Sequence, residues 1–203
     1  MKLILLGATG QVGSHVLQAA LQRGHTVTAV ARYTDPLPRS PALTVQQADV
    51  TAYAGLPALV AGHDVVIGAV PFRTYAAAPF LAAVAAGRPG RLVMVGGAGS
   101  LEVAPGQALV ATPDFPEEYR PEALAGREVL RNLVAGYALP WTFLSPSAHL
   151  HAGPRIGTFR LGQDTLLVDA HGESHISLSD YATALLDEVE RPQHVNRRFT
   201  VGY

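Results

Sequence analysis

Seven residues near the N-terminus constrain the fold of this chain more than any others: Gly7-Ala8-Thr9-Gly10-Gln11-Val12-Gly13. A short apolar run from Lys2 to Leu6 precedes them and reads as a buried strand. Gln11 to Gln22 follows, with Val12, Val16, Leu17, Ala20 and Leu21 at helical spacing. The loop therefore joins a strand to a helix. Glycines there allow a tight turn, a close backbone approach to a ligand, and close packing of helix on strand. The helix start offers unpaired N–H groups and a partial positive charge, which suits a phosphate. The Gly-x-x-Gly-x-x-Gly spacing in this context predicts a dinucleotide-binding loop. The alternative is a tight strand–helix turn with no ligand.

The pattern continues downstream. Strands are expected at Thr26 to Ala31, Leu43 to Gln47, Asp64 to Ala69, Arg91 to Val95, Trp141 to Leu144 and Arg198 to Gly202. Helices are expected at Tyr53 to Val60, Thr74 to Ala86, Glu117 to Ala135 (interrupted by Pro121) and Ser179 to Glu190, with Ser179 as N-cap. Gly96 to Pro116 reads as a long loop. Leu166 to Val168 and Ser174 to Ser177 read as a hairpin around Asp169-Ala170-His171-Gly172. Strands alternating with helices predict an α/β fold: a Rossmann-like, doubly wound parallel sheet. One domain is expected over residues 1–203, with a small C-terminal substrate-side lobe at about 145–180.

Composition narrows the chemistry. Of 15 basic residues only Lys2 is lysine, and there is no cysteine. Thiol nucleophiles, disulfides and thiolate metal centres are excluded. The net charge is −1 with no basic stripe, so nucleic acid is not an expected partner. The longest apolar stretch, Tyr75 to Gly87, is short and holds Pro79, so no membrane span is expected. The N-terminus lacks signal-peptide design, and a cytoplasmic location is expected. His149 with His151, or His171 with His175, have spacings a metal could use. Without a clear carboxylate partner in the pattern, no metal site is expected.

The second strand ends in Arg32, where an NAD site usually carries an acidic residue. An arginine can stack on adenine and pair with a 2′-phosphate, so NADP(H) is favoured over NAD(H). The alternative is a solvated surface arginine.

The whole chain resembles the atypical short-chain dehydrogenase/reductase superfamily, in its NmrA-like and biliverdin-reductase-B-like branch. Within that branch it is most similar to the NADH-flavin-reductase-like proteins. The resemblance is carried by the glycine-rich loop, Asp49-Val50, Val95-Gly96-Gly97-Ala98-Gly99-Ser100-Leu101-Glu102-Val103 and Trp141-Thr142-Phe143-Leu144-Ser145-Pro146. Asp180-Tyr181-Ala182 and Arg198-Phe199-Thr200-Val201-Gly202-Tyr203 complete it. It implies that Asp49 and Val50 flank adenine, and that Ala69-Val70-Pro71 and Gly96 line the cofactor path. Read from the residues alone, Asp49 is equally a turn or capping residue.

Standard members of the superfamily pair a tyrosine with a lysine four residues on, which lets the phenol pass a proton. Here Tyr119 stands at about that place, and the fourth residue after it is Ala123. The relay is absent. Hydride transfer to a conjugated acceptor needs mainly alignment, and water can supply the proton. The reading is an NAD(P)H-dependent oxidoreductase that reduces a flavin, quinone or similar small-molecule acceptor, with flavin a substrate rather than a bound cofactor. The alternative is a non-enzymatic NADP-sensing regulator of the NmrA-like type. The candidate catalytic residues are Ser100, after the fifth strand, and His149, which follows a proline after the sixth as the resemblance implies. Ser100 is equally readable as a loop serine, and His149 more readily as a loop histidine with a structural hydrogen bond.

Overall fold

The computed structural model describes all 203 residues. The first half runs β1 (Lys2–Leu6), α1 (Gln11–Gln22), β2 (Thr26–Ala31), β3 (Leu43–Gln47), α2 (Leu56–Val60), β4 (Val65–Gly68), α3 (Ala77–Ala86) and β5 (Arg91–Val95). The second half runs β6 (Glu102–Ala104), β7 (Gln107–Ala108), α4 (Arg120–Val134), β8 (Trp141–Ser145), β9 (His149–His151), β10 (Arg160–Gly162), β11 (His175–Ser177), α5 (Leu178–Glu190) and β12 (Arg197–Gly202). The fold is a Rossmann-like α/β fold. Its eight-stranded sheet has the order β10-β12-β8-β5-β4-β1-β2-β3 and is parallel except for β10 at the edge.

The core explains why β1 reads as an unbroken apolar run. In β1, Leu3 and Leu5 face one side and pack with Val16, Leu17 and Ala20 of α1 and Tyr181 and Leu185 of α5. Ile4 and Leu6 face the other side and pack with Leu56, Phe80, Val84, Val129 and Leu133. Both faces are covered by helices, so alternate residues are equally apolar. The order reverses at β1, which sits between β2 and β4. That reversal opens a crevice at the carboxyl edge of the sheet.

Four expectations need correction. Pro121 does not interrupt α4 but lies in its first turn, where its missing N–H costs nothing. The N-cap of α5 is Ser177, whose hydroxyl accepts from the Asp180 amide at 3.1 Å; Ser179 instead donates to the Gly153 carbonyl. The segment from Gly96 to Pro116 is not one loop but holds two 3₁₀ turns and the β6–β7 pair. The expected hairpin does not form. The turn is there, with the Asp169 amide bonded to the Glu173 carbonyl. Its two arms part, because Leu166 bonds back to Glu102 while β11 pairs in parallel with β9.

Candidate functional site

The glycine-rich loop closes through contacts that only glycine permits. Gly7 has φ +88°, and a Cβ there would lie 2.5 Å from the Ala69 carbonyl oxygen. A Cβ at Gly13 would lie 2.1 Å from the Gly7 oxygen, so this glycine lets α1 rest directly on the turn. The Gly7 and Ala8 amides both bond to the Val30 carbonyl, tying the loop to the end of β2. Helix α1 then starts with no side-chain cap and no acidic residue in its first turn. Its first N–H groups are left for an external anion.

In front of this helix start lies a cleft of about 510 Å³. Gly7, Thr9 and Gly10 form its floor, Arg32 and Tyr33 one side, Asp49 to Thr51 a second, and Ala69, Val70, Pro71 and Thr74 a third. Three separate strand ends thus meet at the switch point. Of the residues singled out in the sequence, Gly7, Thr9, Gly10, Arg32, Asp49, Val50, Ala69, Val70 and Pro71 line this cleft. Ala8, Gln11, Val12, Gly13 and Gly96 do not. Ala8 is fully buried, and Val12 packs against the core. Gln11 is exposed at the helix start. Gly96 continues the sheet through its bond to the Leu144 carbonyl, and a Cβ there would lie 2.5 Å from the Phe143 ring.

The polar side chains of the cleft differ in freedom. Asp49 Oδ1 accepts from the Thr51 amide at 2.9 Å and the Thr51 hydroxyl at 2.8 Å. These bonds, with the nearby Arg32 charge, hold its carboxyl below the usual range. Asp49 is therefore both a turn residue and a wall of the cleft. Arg32 is exposed and is absent from the arginines that form ion pairs: Arg23, Arg91, Arg120, Arg131 and Arg198. Tyr33 is 76% exposed beside it, an aromatic face not among the residues expected from the sequence. An exposed tyrosine directly after Arg32, at a strand end, was the available signal.

The relay position is equally clear. Tyr119 is 63% exposed before the first turn of α4, and its carbonyl accepts from Ala123. Ser100 does not line the cleft. Arg198 Nη1 donates to its carbonyl at 2.8 Å and its hydroxyl at 2.9 Å, and the same guanidinium reaches Asp164. His149 is exposed in β9, with its amide bonded to the Ser174 carbonyl and no hydrogen bond on its ring. Neither candidate is brought to the cleft residues.

The histidines group differently from their sequence spacing. His175 Nε2 lies 3.5 Å from Asp169 Oδ2, its ring lies 5.7 Å from that of His151 at a tilt of 30°, and Glu173 stands close by. Asp169 Oδ1 accepts from the His171 and Glu173 amides, which makes the carboxylate the closure of its own loop.

A second carboxylate anchors the segment that precedes β10. Asp180 is fully buried at the start of α5. It accepts from the Ile156 amide at 2.8 Å, the Gly157 amide at 2.9 Å and the Tyr203 hydroxyl at 2.6 Å. Burial raises its pKa, but the hydrogen bonds from Tyr203, Ile156, Gly157 and Ser177 outweigh burial and hold it below the usual value.

Known proteins are similar to this chain over nearly its whole length. The pattern of the NAD(P)H-binding family matches residues 7–192. The chain is 38% identical to the uncharacterized protein YwnB of Bacillus subtilis (strain 168), over 99% of this chain and 98% of that one. Among solved structures it is similar to a candidate epimerase from Bacteroides thetaiotaomicron, with 40% identity, a TM-score of 0.94, and coverage of 100% and 96% of the two chains. It is also similar to a candidate NADH-flavin reductase from Streptococcus pneumoniae TIGR4, with 32% identity, a TM-score of 0.85, and coverage of 100% and 99%. With the loop, the switch-point cleft and these likenesses together, the chain belongs to the NAD(P)H-binding family.

Proposed function

We propose that this chain is a reductase that uses NADPH to reduce a flavin, a quinone or a similar conjugated acceptor. The observation that carries the reading is the uncapped start of α1 opening on the switch-point cleft, beside a helix α4 that has no lysine after Tyr119. When bound, the reduced cofactor supplies a hydride. The chain's residues bind and orient. The α1 amides receive the pyrophosphate, and the partial charge of the helix adds about 0.3–1 kcal/mol at such a position. Arg32, free of any ion pair, is placed for the 2′-phosphate, and Tyr33 offers a face for adenine. Asp49 stays ionised through its bonds to Thr51. No side chain of the standard relay stands ready to give a proton, which suits acceptors that take protons from water.

The name of the Streptococcus pneumoniae relative supports a flavin acceptor, while the name of the Bacteroides thetaiotaomicron relative points elsewhere. An epimerase that works through the cofactor must oxidise and re-reduce a carbinol carbon, and α4 lacks the tyrosine–lysine pair that takes and returns the hydroxyl proton in this superfamily. The test is oxidation of NADPH, and in parallel NADH, with FMN, riboflavin and quinones as acceptors. Turnover with at least one of them, faster with NADPH, is expected. Tight NADPH binding without turnover on any acceptor overturns the reductase reading and favours a cofactor sensor.

A further inference from the structure

Helix α4 carries the proton relay in standard members of the superfamily, and here its first turn holds a carboxylate beside the vacant lysine position. Glu122 lies one residue before Ala123, in the first turn. Its Oε1 accepts from the Phe72 amide at 2.6 Å and its Oε2 from the Arg73 amide at 3.1 Å. These two amides come directly after Pro71, which with Thr74 forms the third side of the cleft.

The rest of this turn is fixed on the same plan. The Phe72 ring is buried and stacks on Phe143 at 6.1 Å. Gly126, one helical turn beyond Glu122, makes room for it, since a Cβ there would lie 2.8 Å from the ring. The Thr74 hydroxyl closes the turn by donating to the Pro71 carbonyl at 2.6 Å. Past the turn, the Ala76 amide donates to the Tyr53 hydroxyl at 2.9 Å, joining it to the segment that follows the Asp49–Thr51 wall.

We propose that Glu122 is the positioning residue of the cofactor cleft: its carboxylate sets the Pro71–Thr74 wall against the bound dinucleotide. The proposal rests on the reading that this cleft holds NAD(P)H. The chemistry asks for a carboxylate. Two N–H donors converge on one side chain, and only an ionised carboxyl offers acceptors at both ends. A glutamine would present its NH₂ to one of the two amides, setting donor against donor.

The test measures NADPH affinity by direct titration, kcat at saturating NADPH, and Tm, for the full-length wild type, Glu122→Ala and Glu122→Gln. The expected result is a Kd for NADPH raised about tenfold in Glu122→Ala and at least about threefold in Glu122→Gln, the scale of losing one or both charge-assisted bonds to the wall. With an acceptor that supports turnover, kcat stays within about twofold, because Glu122 touches no reacting atom. A lowered Tm with NADPH affinity held within about twofold overturns the proposal and leaves Glu122 a stability residue. A kcat that falls as far as the affinity also overturns it. Should Glu122→Ala not fold, Glu122→Gln, which keeps one acceptor oxygen, decides alone. Because affinity is read without an acceptor, a wild type that binds NADPH but never turns over defeats the reductase reading and leaves this one to the Kd comparison.

Discussion

The first turns of α1 and α5 both lie at the carboxyl edge of the sheet and treat their amides in opposite ways. Helix α1 has no cap and no acid, and its start faces a cleft. Helix α5 has the Ser177 cap and Asp180, and its start faces the chain's own backbone at Ile156 and Gly157. An open helix start is a place for a ligand's charge. A closed one already holds a carboxylate, and that carboxylate fastens a segment of the chain. The contrast separates the half of the molecule built to receive a cofactor from the half built to hold itself in shape. On the opposite face of the sheet, Glu122 of α4 does for the Pro71–Thr74 turn what Asp180 does for residues 156–157.

Breaking the open end is expected to have the largest effect. Gly13→Ala places a methyl 2.1 Å from the Gly7 oxygen and forces α1 off the loop. We expect a loss of NADPH affinity of a hundredfold or more, with stability lowered by about 1–3 kcal/mol, the usual scale of overpacking. Ligand titration and urea unfolding check both, and an unchanged Kd would remove α1 from the binding scheme.

Opening the closed end comes next. Asp180→Asn removes a buried carboxylate that accepts two backbone amides and a phenol. The expected cost is about 2–3 kcal/mol, from hydrogen bonds to a charged group. Hydrogen exchange at Ile156 and Gly157 should rise, while NADPH affinity moves little. The pH dependence has a definite sign. The folded-state pKa of Asp180 lies below its unfolded value of about 3.9, so its stabilisation is present above that value. It is lost as pH falls through the folded pKa. In Asp180→Asn this part of the acid limb should flatten, and an identical acid limb in both proteins would show that Asp180 is not its source.

Arg32→Ala tests the charge preference of the open end. The ratio of NADPH to NADH affinity should fall about tenfold, the scale of one charge-assisted phosphate contact, with NADH affinity nearly constant. Equal losses for both cofactors would assign Arg32 to adenine stacking instead. The smallest effect is expected for Tyr119→Phe, which should leave turnover within about twofold because the phenol is exposed and has no lysine partner. A loss of a hundredfold would restore it as a proton donor.

The local part of the fold was legible in the residues. The bounds of β1, α1, β2, β3 and β5 are legible from local sequence: β1 and β5 are apolar runs, α1 is an amphipathic face, β2 is rich in β-branched residues, and β3 is a short run set off by Pro41 and Asp49. The glycine-rich loop and the Arg32 end of β2 were legible for the same reason. β9 and β10 were not, and the partner of β11 was not. β9 pairs with β11 and β10 with β12 across long separations, and such short runs carry no period of their own. Tyr33 is as legible as Arg32, the residue before it, whereas Thr51 and Thr74 reach the cleft only through the way three loops meet.

The sequence by itself determined the parallel α/β frame, the phosphate-ready turn between β1 and α1, and the absence of a relay lysine. Each depends on neighbours within a few residues or on a residue that is missing altogether. Only the tertiary structure decided what the carboxylates do. Glu122 meets its amides 50 and 49 residues away, and Asp180 meets its own 24 and 23 residues away. In sequence both are acidic residues near a helix start, which the helix dipole alone would explain. It is the packing of α4 on the Pro71–Thr74 turn, and of α5 on residues 156–157, that aims them at backbone donors needing an acceptor.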